Sequence, residues 1–152
     1  MQMEGGAVIS FTVPGEPQGK GRAKFGNGRT YTPEKTVAYE GLIALAGERA
    51  MAGAEPMLGP VSLSFTAVYS IPARISKKRR EAMLSGEVVP TKKPDIDNIL
   101  KAIGDGLNGV VFKDDAQIAE LRSVRKIYGA TPGLIVEVRP INFQSQRAAQ
   151  WA

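Results

Sequence analysis

The chain predicts an α+β domain, a small mixed β-sheet with helices packed on it. Apolar residues recur at helical spacing in two long stretches, 33–51 and 95–108. They alternate, or gather with β-branched and aromatic residues, in short stretches at 7–13, 61–71, 117–128 and 134–138. The resulting order, β-α-β-(α)-α-β-β, fits helices packed on a sheet of about four or five strands.

The first strand, 7–13, reads Ala-Val-Ile-Ser-Phe-Thr-Val. Residues 14–31 follow with five glycines, two prolines and the cations Lys20, Arg22, Lys24 and Arg29. That density of Gly and Pro argues against helix and strand and predicts a flexible loop. A loop this long inside a compact domain is uncommon unless it has a function. Its glycines allow close backbone approach to a ligand, and its cations suit phosphates. Thr32-Pro33-Glu34 reads as a helix start, with Thr32 as cap and Pro33 in the first position. Ala38, Leu42, Leu45 and Ala46 form the expected inner stripe of that helix.

The strand at 61–71 alternates over its first half, with Val61, Leu63, Phe65 and Ala67 on one face. A short helix at 76–84 carries Lys77, Lys78, Arg79 and Arg80, either as a solvated face or as a clamp on nucleic-acid backbone. In the helix at 95–108, Ile96, Ile99, Leu100, Ile103 and Leu107 share a buried face, leaving Asp97, Lys101, Asp105 and Asn108 opposite. The alternation in 117–128 is imperfect and predicts a bulge or an exposed edge. The strand at 134–138 is expected to pair antiparallel with it across the turn at 130–133. The tail, 141–152, has no strong pattern and is expected to be peripheral.

Composition narrows the chemistry. The chain has 152 residues, enough for one domain with a core, and neither histidine nor cysteine. Thiol nucleophiles, Cys/His zinc sites, disulfides and imidazole bases are all excluded. No apolar run is long enough to span a bilayer, and residues 1–6 lack the features of a signal peptide, so a cytoplasmic protein is expected. The net charge is +5, and it is unevenly placed: residues 1–80 hold 11 basic and 6 acidic side chains, whereas 81–152 hold 9 of each. A basic surface beside an acidic pocket suits a nuclease, although modest basicity also serves solubility.

The acids fall in a distinctive pattern. Lys93-Pro94-Asp95-Ile96-Asp97-Asn98 opens the helix at 95–108, Lys101 follows one turn after Asp97, and Asp114-Asp115 lies beyond the helix. Carboxylates converging from these positions would suit a hard divalent cation, and such a site suits phosphodiester hydrolysis. Each residue also has a plainer reading. Asp95 can cap the helix, Asp97 can favour its N-terminus, Lys101 can pair with Asp97, and Asp114-Asp115 can form a turn. Spacing alone does not choose between Asp114 and Asp115.

The stretch 93–102, with Asp105-Gly106-Leu107-Asn108 and Asp114-Asp115-Ala116-Gln117-Ile118, resembles the signature of the RusA-type Holliday junction resolvases, small phage- and prophage-borne endodeoxyribonucleases. The resemblance extends to Val13-Pro14-Gly15, the Lys/Arg/Gly loop and Tyr31-Thr32-Pro33. It implies a nuclease domain over 1–140 with a tail at 141–152, a homodimer, and binding of branched, four-way DNA with no membrane partner. It also implies Mg²⁺-dependent paired nicking in DNA recombination and repair, with Mn²⁺ as a substitute. By position, Asp95, Asp97 and Asp115 match the family's metal-binding acids, Lys101 its catalytic lysine, and Asp114 an adjacent acid of less definite role. Asp105 and Glu120 are secondary candidates. The expected DNA contacts are Lys20, Arg22, Lys24, Arg29, Lys77, Lys78, Arg79, Arg80 and Lys93. The alternatives are another branched-DNA or flap nuclease, and a non-catalytic DNA-binding protein.

Overall fold

The computed structural model describes residues 7–141. The main elements are β1 (Ile9–Pro14), β2 (Lys24–Gly26), β3 (Arg29–Tyr31), α1 (Glu34–Met51), β4 (Val61–Ser70), α2 (Lys77–Ser85), α3 (Ile96–Leu107), β5 (Ile118–Gly129) and β6 (Gly133–Pro140). The architecture is α+β with a mixed sheet, as expected. Four strands form that sheet in the order β1-β6-β4-β5. β5 runs parallel to β4, and the other pairings are antiparallel.

The expected hairpin between the last two strands does not form. β6 inserts between β1 and β4, and β5 takes the edge. The side chains explain the choice. β6 sends Leu134, Val136 and Val138 into the core, all fully buried, and can accept a neighbour on each side. β5 carries Glu120, Arg122, Arg125 and Lys126, and charges of this kind suit an edge strand and discourage further pairing. The irregular alternation of β5 reflects register shifts against β4 between Val61 and Ser62 and between Leu63 and Phe65.

The glycine-rich segment is not the unstructured loop that its composition suggests. β2 and β3 form a two-stranded hairpin turning at Asn27-Gly28, where φ is 52° and 76°. Two positive-φ residues make the tight turn that suits the twist of a hairpin, and Asn-Gly is its sequence signal. The preceding part is strapped down, with Pro17 buried. Lys20 N–H donates to Asn98 O at 2.8 Å, and Gly21 N–H donates to Thr36 Oγ1 at 2.9 Å. Side chains at Gly19 or Gly21 would collide with Asn98 and Thr36 respectively.

In α1 the buried residues are Thr36, Tyr39, Ile43, Gly47 and Met51, one position on from the expected stripe. Leu42 and Leu45 are exposed. The helix is apolar on several sides, so periodicity alone did not select the inward face. Close approach to α3 selects it. A Cβ on Gly47 would lie 2.7 Å from Leu107, and one on Gly106 would lie 2.9 Å from Ile43 and from Glu40 O. The helix is capped by Pro33 without a side-chain bond, and not by Thr32.

α1 and α3 cover one face of the sheet. Tyr39, Ile43, Ile99, Ile103 and Leu107 pack on Val13, Leu63, Phe65, Val136 and Val138. Val111 and Phe112 complete this core after α3. The opposite face carries Ser10, Ser64, Thr66, Ile135, Glu137 and Arg139. Among the described residues, no helix is long and apolar enough to cross a membrane. Residues 1–6, and all of the expected tail at 141–152 except Ile141, lie outside the described residues.

Candidate active site

α3 organises the acidic motif. Asp95 is its N-cap in backbone terms, with φ −73° and ψ 155°, and its carbonyl accepts from Ile99 N–H at 3.0 Å. Its side chain makes no capping bond, so the expected cap is a backbone feature and the carboxylate stays exposed. Asp97 stands exposed in the first turn and Lys101 exposed one turn later. Among the described residues neither makes an ion pair, so the plainer reading of an Asp97–Lys101 pair is not what forms.

The third turn of α3 meets Asp115. Gly104 is buried, and a Cβ there would lie 3.1 Å from Asp115 Oδ2. Asp97, Lys101 and Gly104 follow at the spacing of one helix face, so Asp97, Lys101 and the Asp115 carboxylate line one ridge. Gly104 is seven residues after Asp97, about 10 Å along the axis.

Asp115 begins a short 3-10 turn, Asp115–Gln117, and its neighbours hold it there. Asp114 Oδ1 accepts from Ala116 N–H at 2.9 Å. Gln117 Oε1 accepts from the N–H groups of Lys113 and Asp114, and its Nε2 donates to Met57 O and Gly59 O at 2.9 and 2.8 Å. Asp114 is thus engaged as a cap while Asp115 faces α3, a difference that spacing did not reveal. Hydrogen bonding with Asp114 and slight burial hold the Asp115 carboxyl above its ordinary value. The Ala116 N–H, and then Asp115, hold Asp114 below its own.

Two cavities flank the ridge. One of about 390 Å³ is lined by Lys101, Gly104, Asp115 and Glu120, with Leu100 and Leu121. A larger cleft of about 630 Å³ is lined by Lys20, Arg22, Lys35, Lys93, Asp95 and Asn98. Asp95 therefore faces the basic cleft, Asp115 the smaller cavity, and Asp97 lines neither. Among the described residues, no three acidic side chains gather closely enough to hold a metal ion. In kind, exposed carboxylates in a chain without His or Cys fit a hard cation. In arrangement, Asp97 and Asp115 lie along the ridge and Asp95 faces the cleft beside it, so the three do not surround one point.

The basic residues divide. Arg22, Lys24 and Arg29 are exposed on the loop and hairpin, and Lys77, Lys78 and Arg79 are exposed on α2. Lys93 lines the cleft beside Asp95. Arg80 is half-buried and donates to Pro72 O and Ala73 O at 3.2 and 3.3 Å. Lys20 pairs with Asp105 at 2.8 Å and Glu40 at 3.0 Å, so it ties the loop to both helices. Hydrogen bonding to Asp105 leads the effects that raise its pKa.

Sequence reasoning missed Lys35, whose position directly after the helix start and beside the basic loop was the available signal. It also missed Tyr69, which reads as an ordinary strand residue. Tyr69 is buried, and its hydroxyl donates to Pro94 O at 2.9 Å. Burial, and then the charge of Asp95, push its pKa up to about 12, so the hydroxyl remains a donor.

Comparison with known proteins places the chain in a family. Residues 14–139 match the family described as Endodeoxyribonuclease RusA. The chain is also 35% identical over 141 residues to a Bacillus subtilis (strain 168) protein named "Uncharacterized protein YqaN", covering 88% of this chain and 97% of that one. The matched span runs from the end of β1 to β6 and includes Asp95, Asp97, Lys101 and Asp115, so this chain belongs to the RusA endodeoxyribonuclease family.

Proposed function

We propose that this protein is a Mg²⁺-dependent, structure-selective endodeoxyribonuclease that resolves four-way DNA junctions by paired nicks in recombination and repair. One observation carries the reading within the family: Asp115 is seated against Gly104, on the ridge that also bears Asp97 and Lys101, which makes no ion pair among the described residues. The family resemblance makes Asp95, Asp97 and Asp115 the residues that would hold Mg²⁺, with Mn²⁺ able to substitute, and their side chains would have to draw together from the positions they occupy here. A bound ion would supply activation of water and neutralisation of phosphate charge.

The remaining roles belong to side chains. Lys101 stabilises negative charge developing on the phosphate or its leaving oxygen, a task suited to an ammonium group that no carboxylate holds among the described residues. Arg22, Lys24, Arg29, Lys93 and the exposed cations of α2 hold the DNA backbone, with Lys35 added in the cleft. A homodimer supplies two sites related by a two-fold axis, one for each opposed strand.

The experiment is to incubate the protein with synthetic four-way, Y-shaped and linear duplex DNA, with and without Mg²⁺, and to map the nicks. Symmetric Mg²⁺-dependent nicks in the four-way substrate are expected, and they should be lost in Asp95→Asn, Asp97→Asn and Asp115→Asn. Equal cleavage of the Y-shaped substrate would make this a general branch nuclease. Binding without any cleavage would make it a DNA-binding protein.

A further inference from the structure

The acidic segment is held to the sheet from outside its own helix. Residues 92–98 carry both Asp95 and Asp97, and the Asp95 side chain forms no bond to α3. Two backbone carbonyls just before Asp95 accept hydrogen bonds from neighbouring strands. Tyr69 at the end of β4 donates its hydroxyl to Pro94 O at 2.9 Å, and Lys126 of β5 donates its ammonium to Lys92 O. The two donors are themselves linked. Lys126 Nζ lies 5.2 Å from the centroid of the Tyr69 ring, and Lys92 Nζ lies 5.8 Å from it. Both distances fall within the range of cation–π attraction. β4 and β5 are paired throughout this region, with Ala67 opposite Lys126 and Tyr69 opposite Tyr128.

We infer that Tyr69 and Lys126 are positioning residues, a two-point clamp that fixes the backbone entering α3 and thereby sets where the Asp95 carboxylate stands. This rests on the proposed role of Asp95 as a cation ligand. A buried phenol is a suitable donor for the task. Its ring is locked by packing, so the bond direction is fixed by the sheet and not by the exposed segment it holds. The ring also retains two ammonium groups next to an acidic segment that otherwise lacks ion pairs among the described residues. Groups that orient metal ligands without touching the metal typically change affinity or rate by about 10–100-fold when removed.

The test compares wild type, Tyr69→Phe, Lys126→Met and Asp95→Asn. Tyr69→Phe keeps the ring and removes only the hydroxyl. Three readouts are taken: Mn²⁺ affinity by electron paramagnetic resonance of the free ion, amide exchange across residues 95–99, and single-turnover junction cleavage. Tyr69→Phe is expected to weaken Mn²⁺ binding about tenfold, to speed exchange in the first turn of α3, and to slow cleavage, with junction affinity in the absence of divalent cation unchanged. Lys126→Met should act in the same direction, and exchange in the core of β4 should stay at the wild-type rate in both. Unchanged Mn²⁺ affinity and unchanged exchange at 95–99 in Tyr69→Phe would overturn the clamp. Wild type that neither binds Mn²⁺ nor cleaves would overturn the proposed function instead, and faster exchange at 95–99 would still report the mechanical part of the clamp.

Discussion

The carboxylate of Asp115 lies against the backbone of Gly104, so close that a methyl group at position 104 would stand 3.1 Å from Oδ2 and 3.2 Å from Cβ of Asp115. The helix and the turn after it meet at this contact, and its tolerance can be tested by adding a single carbon.

Gly104→Ala should leave the protein folded and at least as stable. Alanine favours a helix interior over glycine by about 1 kcal/mol, and the group it would crowd is an exposed side chain able to move. The carboxylate moves with it. Cleavage should fall by roughly 10–100-fold, the scale expected for small misplacement of a reacting group. Melting temperature and single-turnover rate measure the two effects, and wild-type cleavage by this variant would remove Asp115 from the site.

Gly106→Ala should behave in the opposite way. Its methyl would lie 2.9 Å from Glu40 O and from Ile43, at the crossing of α1 and α3. Backbone cannot yield as an exposed carboxylate can. A net loss of about 1–3 kcal/mol is expected, as for other overpacked core positions. Urea denaturation with an unchanged slope is the measurement, and undiminished stability would show that the helices separate without cost.

Neutralising Arg22, Lys24 and Arg29 should flatten the salt dependence of junction binding, with a loss of about 0.9 in slope for each phosphate contact. Lys20→Met should not flatten it, because Lys20 is held by Glu40 and Asp105. It should instead loosen the strapped segment and speed amide exchange at residues 19–21. A slope change equal to that of Arg22→Met would return Lys20 to the DNA contacts.

Gly28→Val should fray the β2–β3 hairpin. Position 28 has φ 76°, and a non-glycine residue in a left-handed conformation costs roughly 1–2 kcal/mol. Exchange of the Lys24 and Arg29 amides should accelerate while the core of β4 is unaffected. Junction affinity should fall through Lys24 and Arg29. Unaltered affinity with a frayed hairpin would place the DNA grip on α2 and the cleft.

Much of the fold was legible because its signals are local. α3 was readable from Ile99, Ile103 and Leu107 at helical spacing, and the irregularity of β5 from its broken alternation. The hairpin was missed although Asn27-Gly28 announces it, because the surrounding glycines and cations outweighed a two-residue cue. The α1 stripe was missed because several faces of that helix are apolar, and only the approach of Gly47 to Leu107 selects one. The arrangement of the acids was partly legible. Their clustering in sequence was plain, but their spread along a ridge follows from the helix rise separating Asp97 from Gly104.

The sequence by itself determined most of the larger elements and the chemistry available, though not the β2–β3 hairpin or the cap of α1. It left carboxylates, Lys and Arg as the reactive groups, and it concentrated them around α3. Propensity, caps and period act within a few residues, so they can be read along the chain. The tertiary structure alone decided the partners. It placed β6 between β1 and β4, engaged Asp114 as a cap and turned Asp115 toward α3, tied Lys20 to Asp105, and joined Tyr69 to Pro94. Apart from the local Asp114 cap, these contacts join separate elements of the fold, and they form only when the core of α1, α3 and the sheet closes. A linear sequence carries the side chains that make such contacts, but which of them meet depends on the packing of the whole domain.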